Sequence, residues 1–540
     1  MESSRGEKLM TKENRSKLNV FFFLPIGIGR VIRPISRGCF GVFIMFVATI
    51  IINTIFSLIF VQLNLPGFIS WIASLFPIYN FIGAIYVVAV DWRDKDIDSG
   101  GVLGKSDFST DGDLIVSGIA KPSAQGIVFG KTKELRVAKP ESTEGHVIIN
   151  GGPGSGKTSG SAIPTLLTWK GTGVVVDIKG ELSQKTAHLH DSIILSTINK
   201  DSACYNPLDF CHTVEEVQDL GRAMFPEPLK GDPFWSKAAQ GIFSAACWEL
   251  KDECSFSDVA AFLCENSDRF IIETLLGMGN DEQTGEPRKE VKRETRILAN
   301  VVTSLKAETA AGIFAEIRNK LATFAVDENI QRITSCSDFS PSDVEYKMIY
   351  LQLAEHQLKQ YGELFNIIIT QISRYLAQRE EGKKPAVLML LDEFPRLGKV
   401  NGISQNLATL RSRNVHIVII IQSLAQLDLI YGKDERKVFV DTCKYQLVLD
   451  ATDSETQEYY SKMAGNQTVK VKSMSQSGEI WRSEQSFTTS EQSVPLIRPE
   501  EFGQLIQPIL FVKGMKPIRV DKAFWYEDKE LKPLVESQTA

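Results

Sequence analysis

The chain is 540 residues long, enough for more than one domain, and its 23% charged and 43% hydrophobic residues are the composition of a folded protein. The formal net charge of −6 excludes a protein that coats nucleic acid with its whole surface, because neutralising phosphates takes an excess of Lys and Arg; a locally basic channel is still compatible. Eight cysteines without a CxxC pair or a zinc spacing, and six histidines that form no ligand set, predict no structural metal.

Residues 1–37 form an N-terminal segment rich in Lys and Arg, from Arg5 to Arg37. From Gly38 to Val90 no Asp, Glu, Lys, Arg or His occurs, and Phe, Ile, Val and Leu dominate. A bilayer span takes roughly 20 residues. The stretch 38–90 therefore predicts two transmembrane helices, near 40–61 and 68–90, with the uncharged turn "QLNLPG" between them. The basic residues ahead of the first span place both termini in the cytoplasm. A cleavable signal peptide does not fit, since the run starts late and has a second span behind it.

Residues 91–145 are mixed and rich in Gly, Asp and Lys, which predicts a connector with edge strands. From residue 146 short apolar runs recur: "HVIIN", "GVVVD", "MIYLQL", "AVLMLLD", "HIVIIIQ", "YQLVLD" and "ILFV". Runs apolar throughout suit strands buried on both faces of a largely parallel sheet. Residues 146–202 and 346–540 then form the two parts of an α/β nucleotide-binding domain. Between them, 203–345 carry helical patterns such as "SKAAQGIFSAACWEL", which predicts an inserted helical domain rather than a structureless loop. The polar stretch 466–492 predicts a long loop or hairpin.

The first apolar run leads into "GGPGSGKTS", residues 151–159. Gly151, Gly152, Pro153, Gly154, Ser155, Gly156, Lys157, Thr158 and Ser159 satisfy the P-loop pattern G-x-x-x-x-G-K-[ST] between a strand and a helix. Backbone N–H groups of such a loop face a triphosphate, its Lys reaches the β- and γ-phosphates, and its Thr ligates Mg²⁺. ATP or GTP is the expected ligand. "AVLMLLDEF" adds a Walker B pattern, in which Asp392 holds an Mg²⁺-bound water and Glu393 acts as general base on the attacking water. Gln422 ends the next apolar run, where it can touch the γ-phosphate or the water. Arg411 and Arg413 lie between these two runs; each is a surface charge or an arginine finger aimed at a neighbouring subunit.

Taken together, the motifs identify a family. The chain resembles the type IV coupling proteins, the TraG/TraD-like ATPases of conjugation and type IV secretion. "NGGPGSGKTSGSAIPTLLTWKGTGVVVDIKGEL", "YNPLDF", "DPFWSKAAQGIF", "LLDEFPRLGK", "QSLAQLDLIYG", "TDSETQEYYSKMAG" and "PLIRPEEF" occur in the family's order. The resemblance implies a RecA-like P-loop NTPase domain, related to FtsK motors, with an inserted all-helical domain and the N-terminal two-helix transmembrane hairpin. It implies ATP and Mg²⁺ as cofactors and a homohexamer in the bacterial inner membrane. Its partners would be secretion-channel proteins, inner membrane lipids, and relaxase-bound single-stranded DNA or effector proteins as cargo. By motif position it implies Lys157 and Thr158 for phosphate and Mg²⁺, Asp392 and Glu393 for Walker B, Arg411 for the finger and Gln422 as sensor. Gly145 departs from relatives that carry arginine there, which leaves a second finger unsupported. A nucleotide-regulated scaffold and a double-stranded DNA pump share several of these features. The Walker B glutamate favours a motor over the scaffold, and the two spans with the ordered motifs favour secretion over the pump.

Overall fold

The computed structural model describes residues 106–133, 135–278, 290–382, 384–477 and 484–537. The membrane hairpin expected at 38–90 and the basic segment before it lie outside the described residues. Among those described, no helix is long and apolar enough to cross a membrane.

Strands β1 (Ala120–Lys121), β2 (Ile127–Thr132) and β3 (Leu135–Lys139) pair antiparallel in the order β1-β3-β2. They correct the expectation of edge strands at 91–145, because they form a small sheet of their own. At Val128 the backbone bonds outside any sheet: its N–H donates to Thr165 Oγ1 (2.9 Å), and Ser161 Oγ donates to its carbonyl. The helix after the P-loop thus takes hydrogen bonds that a main-sheet neighbour would otherwise supply.

The chain then builds β4 (His146–Asn150), β5 (Thr172–Asp177), β6 (Ser192–Ser196), β7 (Met348–Gln352), β8 (Val387–Leu391), β9 (Val415–Ile421) and β10 (Cys443–Val448). A hairpin follows, β11 (Asn466–Ser477) with β12 (Glu484–Pro495), then β13 (Ile509–Val512) and β14 (Ile518–Arg519). The main sheet runs β14-β13-β10-β4-β9-β8-β5-β7-β6. Every pair from β10 to β6 is parallel; β13 and β14 close the other edge antiparallel. The run "ILFV" is therefore a strand, but one of reversed direction.

Both faces of the parallel part are covered, as its continuous apolar strands require. Side chains alternate: Val147 and Ile149 point into one core, Ile148 into the other. The first core also holds Leu166, Phe129 and Leu388, from the P-loop helix, the small sheet and β8. The second contains Val174, Met389 and Ile419 and continues without interruption into the helical insertion.

That insertion occupies the position the sequence implies, between β6 and β7. Its ends meet: the Tyr205 N–H donates to the Ile333 carbonyl (2.7 Å) and the Asp338 N–H to the Cys204 carbonyl (2.9 Å). Helices Val214–Met224, Phe234–Leu250, Phe256–Glu265 and Ala307–Val326 make up most of it. Its apolar residues merge with the sheet's core, so Ser106–Gln467 and Ser493–Ala540 form one compact unit. Thr468–Gln492, the hairpin, belong to a second unit.

One buried cation stands out at the amino ends of the strands. Lys139 is fully buried, and its Nζ lies 2.8 Å from His416 Nδ1. Burial lowers the Lys139 ammonium to about 7, the charge of Lys444 pushes the same way, and Glu141 and Glu144 oppose it. Below about pH 7 the amine is charged in folded and unfolded chains alike. Between about 7 and its usual 10.5 the unfolded chain holds a proton that the folded one has lost, so stability rises with pH there. Wild type should gain on Lys139→Met by up to about 1.4 kcal/mol per pH unit across that window. Denaturation midpoints of both proteins at pH 6.5 and 9.5 check this (round figures either side of the shifted value, about 7). A difference that does not change with pH contradicts it.

Candidate active site

Because the central strands are parallel, their carboxyl ends open on one edge. Seven polar residues lie at or just beyond those ends: Asn150 (β4), Asp177 (β5), Ser196 (β6), Gln352 (β7), Asp392 (β8), Gln422 (β9) and Asp450 (β10). The P-loop leaves β4 among them. Gly154 and Gly156 take φ of 76° and 96°, a region that side chains with a Cβ disfavour. The expected helix does not begin directly: Thr158–Ala162 form a π-type turn, and the α-helix proper is Ile163–Thr168. Pro164 sits in its first turn, where a missing N–H costs little.

Lys157 Nζ curls back onto its own loop and donates to the carbonyls of Gly151 (2.5 Å) and Gly152 (2.9 Å). Burial lowers its pKa, against the pull of Glu393, Asp392 and Asp450. The Gly152 N–H donates to Asp450 Oδ1, and Asn150 Nδ2 to the Asp450 carbonyl. Ser155 Oγ and Asn150 Oδ1 are buried with no protein hydrogen-bond partner.

Asp392 is buried beside this lysine. Burial pushes its carboxyl up to about 7, the negative charges of Glu393 and Asp177 add to the effect, and Lys157 opposes it. A carboxylate so placed calls for a further cation. Together with the Thr158 hydroxyl and the glycine cradle, it fits Mg²⁺ bound with a phosphate chain, since Mg²⁺ takes few protein ligands and keeps its waters.

Glu393 occupies the left-handed region (φ 48°), rare for a residue with a side chain. Its carboxylate accepts two hydrogen bonds from Gln422 Nε2, at 2.9 and 3.1 Å. Arg396 Nη1 lies 3.5 Å from the same carboxylate and donates to Glu355 Oε1 at 2.6 Å. Asp177 accepts from the Ser183 N–H (2.7 Å) and hydroxyl (2.6 Å) and fixes the start of helix Glu181–Thr186.

The structure thus brings together Lys157, Asp392, Glu393 and Gln422. Arg411 is elsewhere. It lies exposed in the last turn of helix Ile403–Ser412, at the amino end of β9, on the sheet edge opposite Gln422. It cannot serve its own chain's site from there. Arg413 is committed locally, to Thr409 (3.3 Å) and Glu381 (3.4 Å). Gly145 has φ of 125°, and a Cβ there would stand 2.8 Å from Lys444 Cβ, so a side chain at this place is strained. Sequence reasoning assigned no role to Asp177, Asp450 or Arg396. The first two carry the signal that marked Asp392, an acidic residue closing a buried apolar run.

Residues 96–540 match the family model described as type IV secretory system conjugative DNA transfer. The chain belongs to the type IV coupling protein family. Its curated relatives include protein VirD4 of Agrobacterium fabrum, 28% identical over 444 residues, covering 77% of this chain and 64% of that protein. Conjugal transfer protein TraG of Escherichia coli is 27% identical over 457 residues, covering 76% and 69%. The match thus spans less than two thirds of the VirD4 relatives' own length. Among solved structures, plasmid coupling protein TrwB in complex with the ATP analogue ADPNP superimposes with a TM-score of 0.58 at 17% identity, covering 79% of this chain and 96% of that one. TrwB in complex with ADP and Mg²⁺ gives 0.57 at 17% identity, with the same coverage. These likenesses establish the coupling-protein fold, a RecA-like α/β core with a mixed sheet.

Proposed function

We propose that this chain is an ATP-hydrolysing coupling protein of a type IV secretion or conjugation system. It receives single-stranded DNA with its relaxase, or effector proteins, and drives or licenses their passage into the channel. The observation that carries the reading is the meeting of Lys157, Asp392 and a Gln422-held Glu393 at one sheet edge. A nucleotide-binding scaffold needs the lysine and the aspartate; it has no use for a strained, oriented glutamate.

Bound Mg²⁺-ATP supplies the phosphoanhydride whose cleavage releases the free energy. Lys157 Nζ exchanges the carbonyls of Gly151 and Gly152 for phosphate oxygens. The Thr158 hydroxyl and the Asp392 carboxylate would hold Mg²⁺, which would supply positive charge to the phosphates. Glu393 orients the attacking water and accepts its proton, and Gln422 keeps that carboxylate aimed. Arg411, exposed on the far edge, is available to the site of an adjacent subunit. That placement supports sites shared between subunits, and membership of the coupling-protein family supports their arrangement as a homohexameric ring. The uncharged run 38–90 supports anchoring in the bacterial inner membrane with both termini cytoplasmic. The family match and the TrwB complexes support ATP and Mg²⁺ as ligands.

Lys157→Ala should abolish ATP hydrolysis. Glu393→Gln should retain ATP binding and turn it over very slowly, because the glutamate acts on the water rather than on the phosphates. Binding and steady-state turnover, measured on the same preparations, check both. Wild-type turnover in Glu393→Gln contradicts the assignment.

A finger acting in trans is worth a factor of about 10³–10⁵ in turnover. Arg411→Ala should therefore bind ATP and hydrolyse almost none. Mixed rings of Arg411→Ala and Lys157→Ala should regain partial activity, since some interfaces pair an intact P-loop with an intact finger. Confirmed mixed rings without recovery count against a trans role; recovery with Arg413→Ala and not with Arg411→Ala would move it to Arg413.

A further inference from the structure

The segment "DKAFWY" (521–526), which no step above uses, lies against the P-loop. After β14 the chain pairs with Lys131 through backbone hydrogen bonds at Asp521 (2.7 and 2.8 Å), and the Trp525 N–H donates to the Ser159 carbonyl (3.2 Å). The Phe524 ring faces two glycines: a Cβ at Gly156 would stand 3.0 Å from its Cε1, and one at Gly160 3.7 Å. Phe524 stacks on Tyr526, with ring centroids 5.2 Å apart and an interplanar angle of 12°. Trp525 meets Tyr526 edge-on and carries Lys185 Nζ over its own face at 4.8 Å. Tyr526 remains 45% exposed, the most open of the three rings.

The polarity of the loop says which part of a nucleotide comes near this stack. Lys157 serves the β- and γ-phosphates, and Asp392, Glu393 and Gln422 mark the γ end. The backbone N–H groups that begin the helix serve the α and β end. Ribose and base leave from the α-phosphate, beside Ser159 and Gly160. That is where Phe524 and Trp525 touch the loop. A planar base stacks on an aromatic face whatever its substituents.

We infer that Phe524 and Tyr526 form the platform on which the purine base of the nucleotide rests. The inference rests on the nucleotide reading of the P-loop and adds the base's position to it. The glycines at 156 and 160 then have a second role, letting the ring approach the loop closely. Trp525 acts as a positioning residue through its bond to Ser159.

The test compares Mg²⁺-ATP with inorganic tripolyphosphate, which has the phosphates and no base, as ligands of the full chain. The variants are Phe524→Leu/Tyr526→Leu, which keeps apolar bulk without a π face, and Tyr526→Ala at the exposed ring. The double variant should bind ATP about ten-fold or more weakly. It should bind tripolyphosphate as wild type does, and show a raised KM for ATP with kcat preserved. Tyr526→Ala should show the same pattern to a smaller extent. Unchanged ATP affinity in the double variant overturns the platform and leaves the phosphate cradle standing. Equal losses for ATP and tripolyphosphate also overturn it, because the segment would then be shaping the loop. A wild-type chain that binds neither ligand overturns the cradle and the platform together.

Discussion

Parallel pairing is the constraint on which the rest of this structure depends. Once β10, β4, β9, β8, β5, β7 and β6 run the same way, every strand must end on the same edge. Whatever closes the apolar runs is gathered there, and in this chain it is Asp392 with Asp177, Asp450, Asn150 and Gln422 close by. Carboxylates so crowded raise one another's cost of ionisation, which is why burial with Glu393 and Asp177 as neighbours lifts Asp392 to about 7. Lys157 offsets part of that charge. The remainder is charge that Mg²⁺ bound with the proposed nucleotide would neutralise.

The same edge is tied to the helical insertion by a single long helix, Leu358–Ala377. At one point Asn366 Nδ2 donates to the Leu397 carbonyl (2.7 Å), in the turn that follows Glu393. Further along, Arg374 forms ion pairs with Asp219 and Glu215 of insertion helix Val214–Met224. Tyr205, at the start of the insertion, donates through its hydroxyl to Gln371 of that helix (2.7 Å). With the apolar core continuous across the boundary, the insertion and the catalytic turn are packed as one body.

Much of this was legible in the sequence, for stated reasons. The strands of the parallel part announce themselves as short runs apolar throughout, and the P-loop as a glycine pattern that few other tasks require. Glu393 and Gln422 were singled out by position, one as general base and the other as a contact of the γ-phosphate or the water; that they bond to each other was not foreseen. What was not legible depends on contacts remote in sequence. Nothing local in β2 says that Val128 bonds to Thr165 and Ser161 rather than to a main-sheet strand. "ILFV" carries no sign of its direction. The helical patterns of 203–345 show an insertion, but only packing shows that it shares the sheet's core. Asp177 and Asp450 bore the signal used for Asp392 and were passed over because no motif attached a role to them.

The central claim is that this edge holds a nucleotide with the lysine on its phosphates and the Walker B pair on the metal and water. Its most direct test is a structure of the full chain with Mg²⁺ and a non-hydrolysable ATP analogue. The account predicts that Lys157 Nζ leaves the carbonyls of Gly151 and Gly152 for the β- and γ-phosphates, with Asp392 on the metal side and Glu393, still bonded to Gln422, facing the γ-phosphate. An analogue bound away from the loop, with Lys157 still folded onto its own carbonyls, would contradict it.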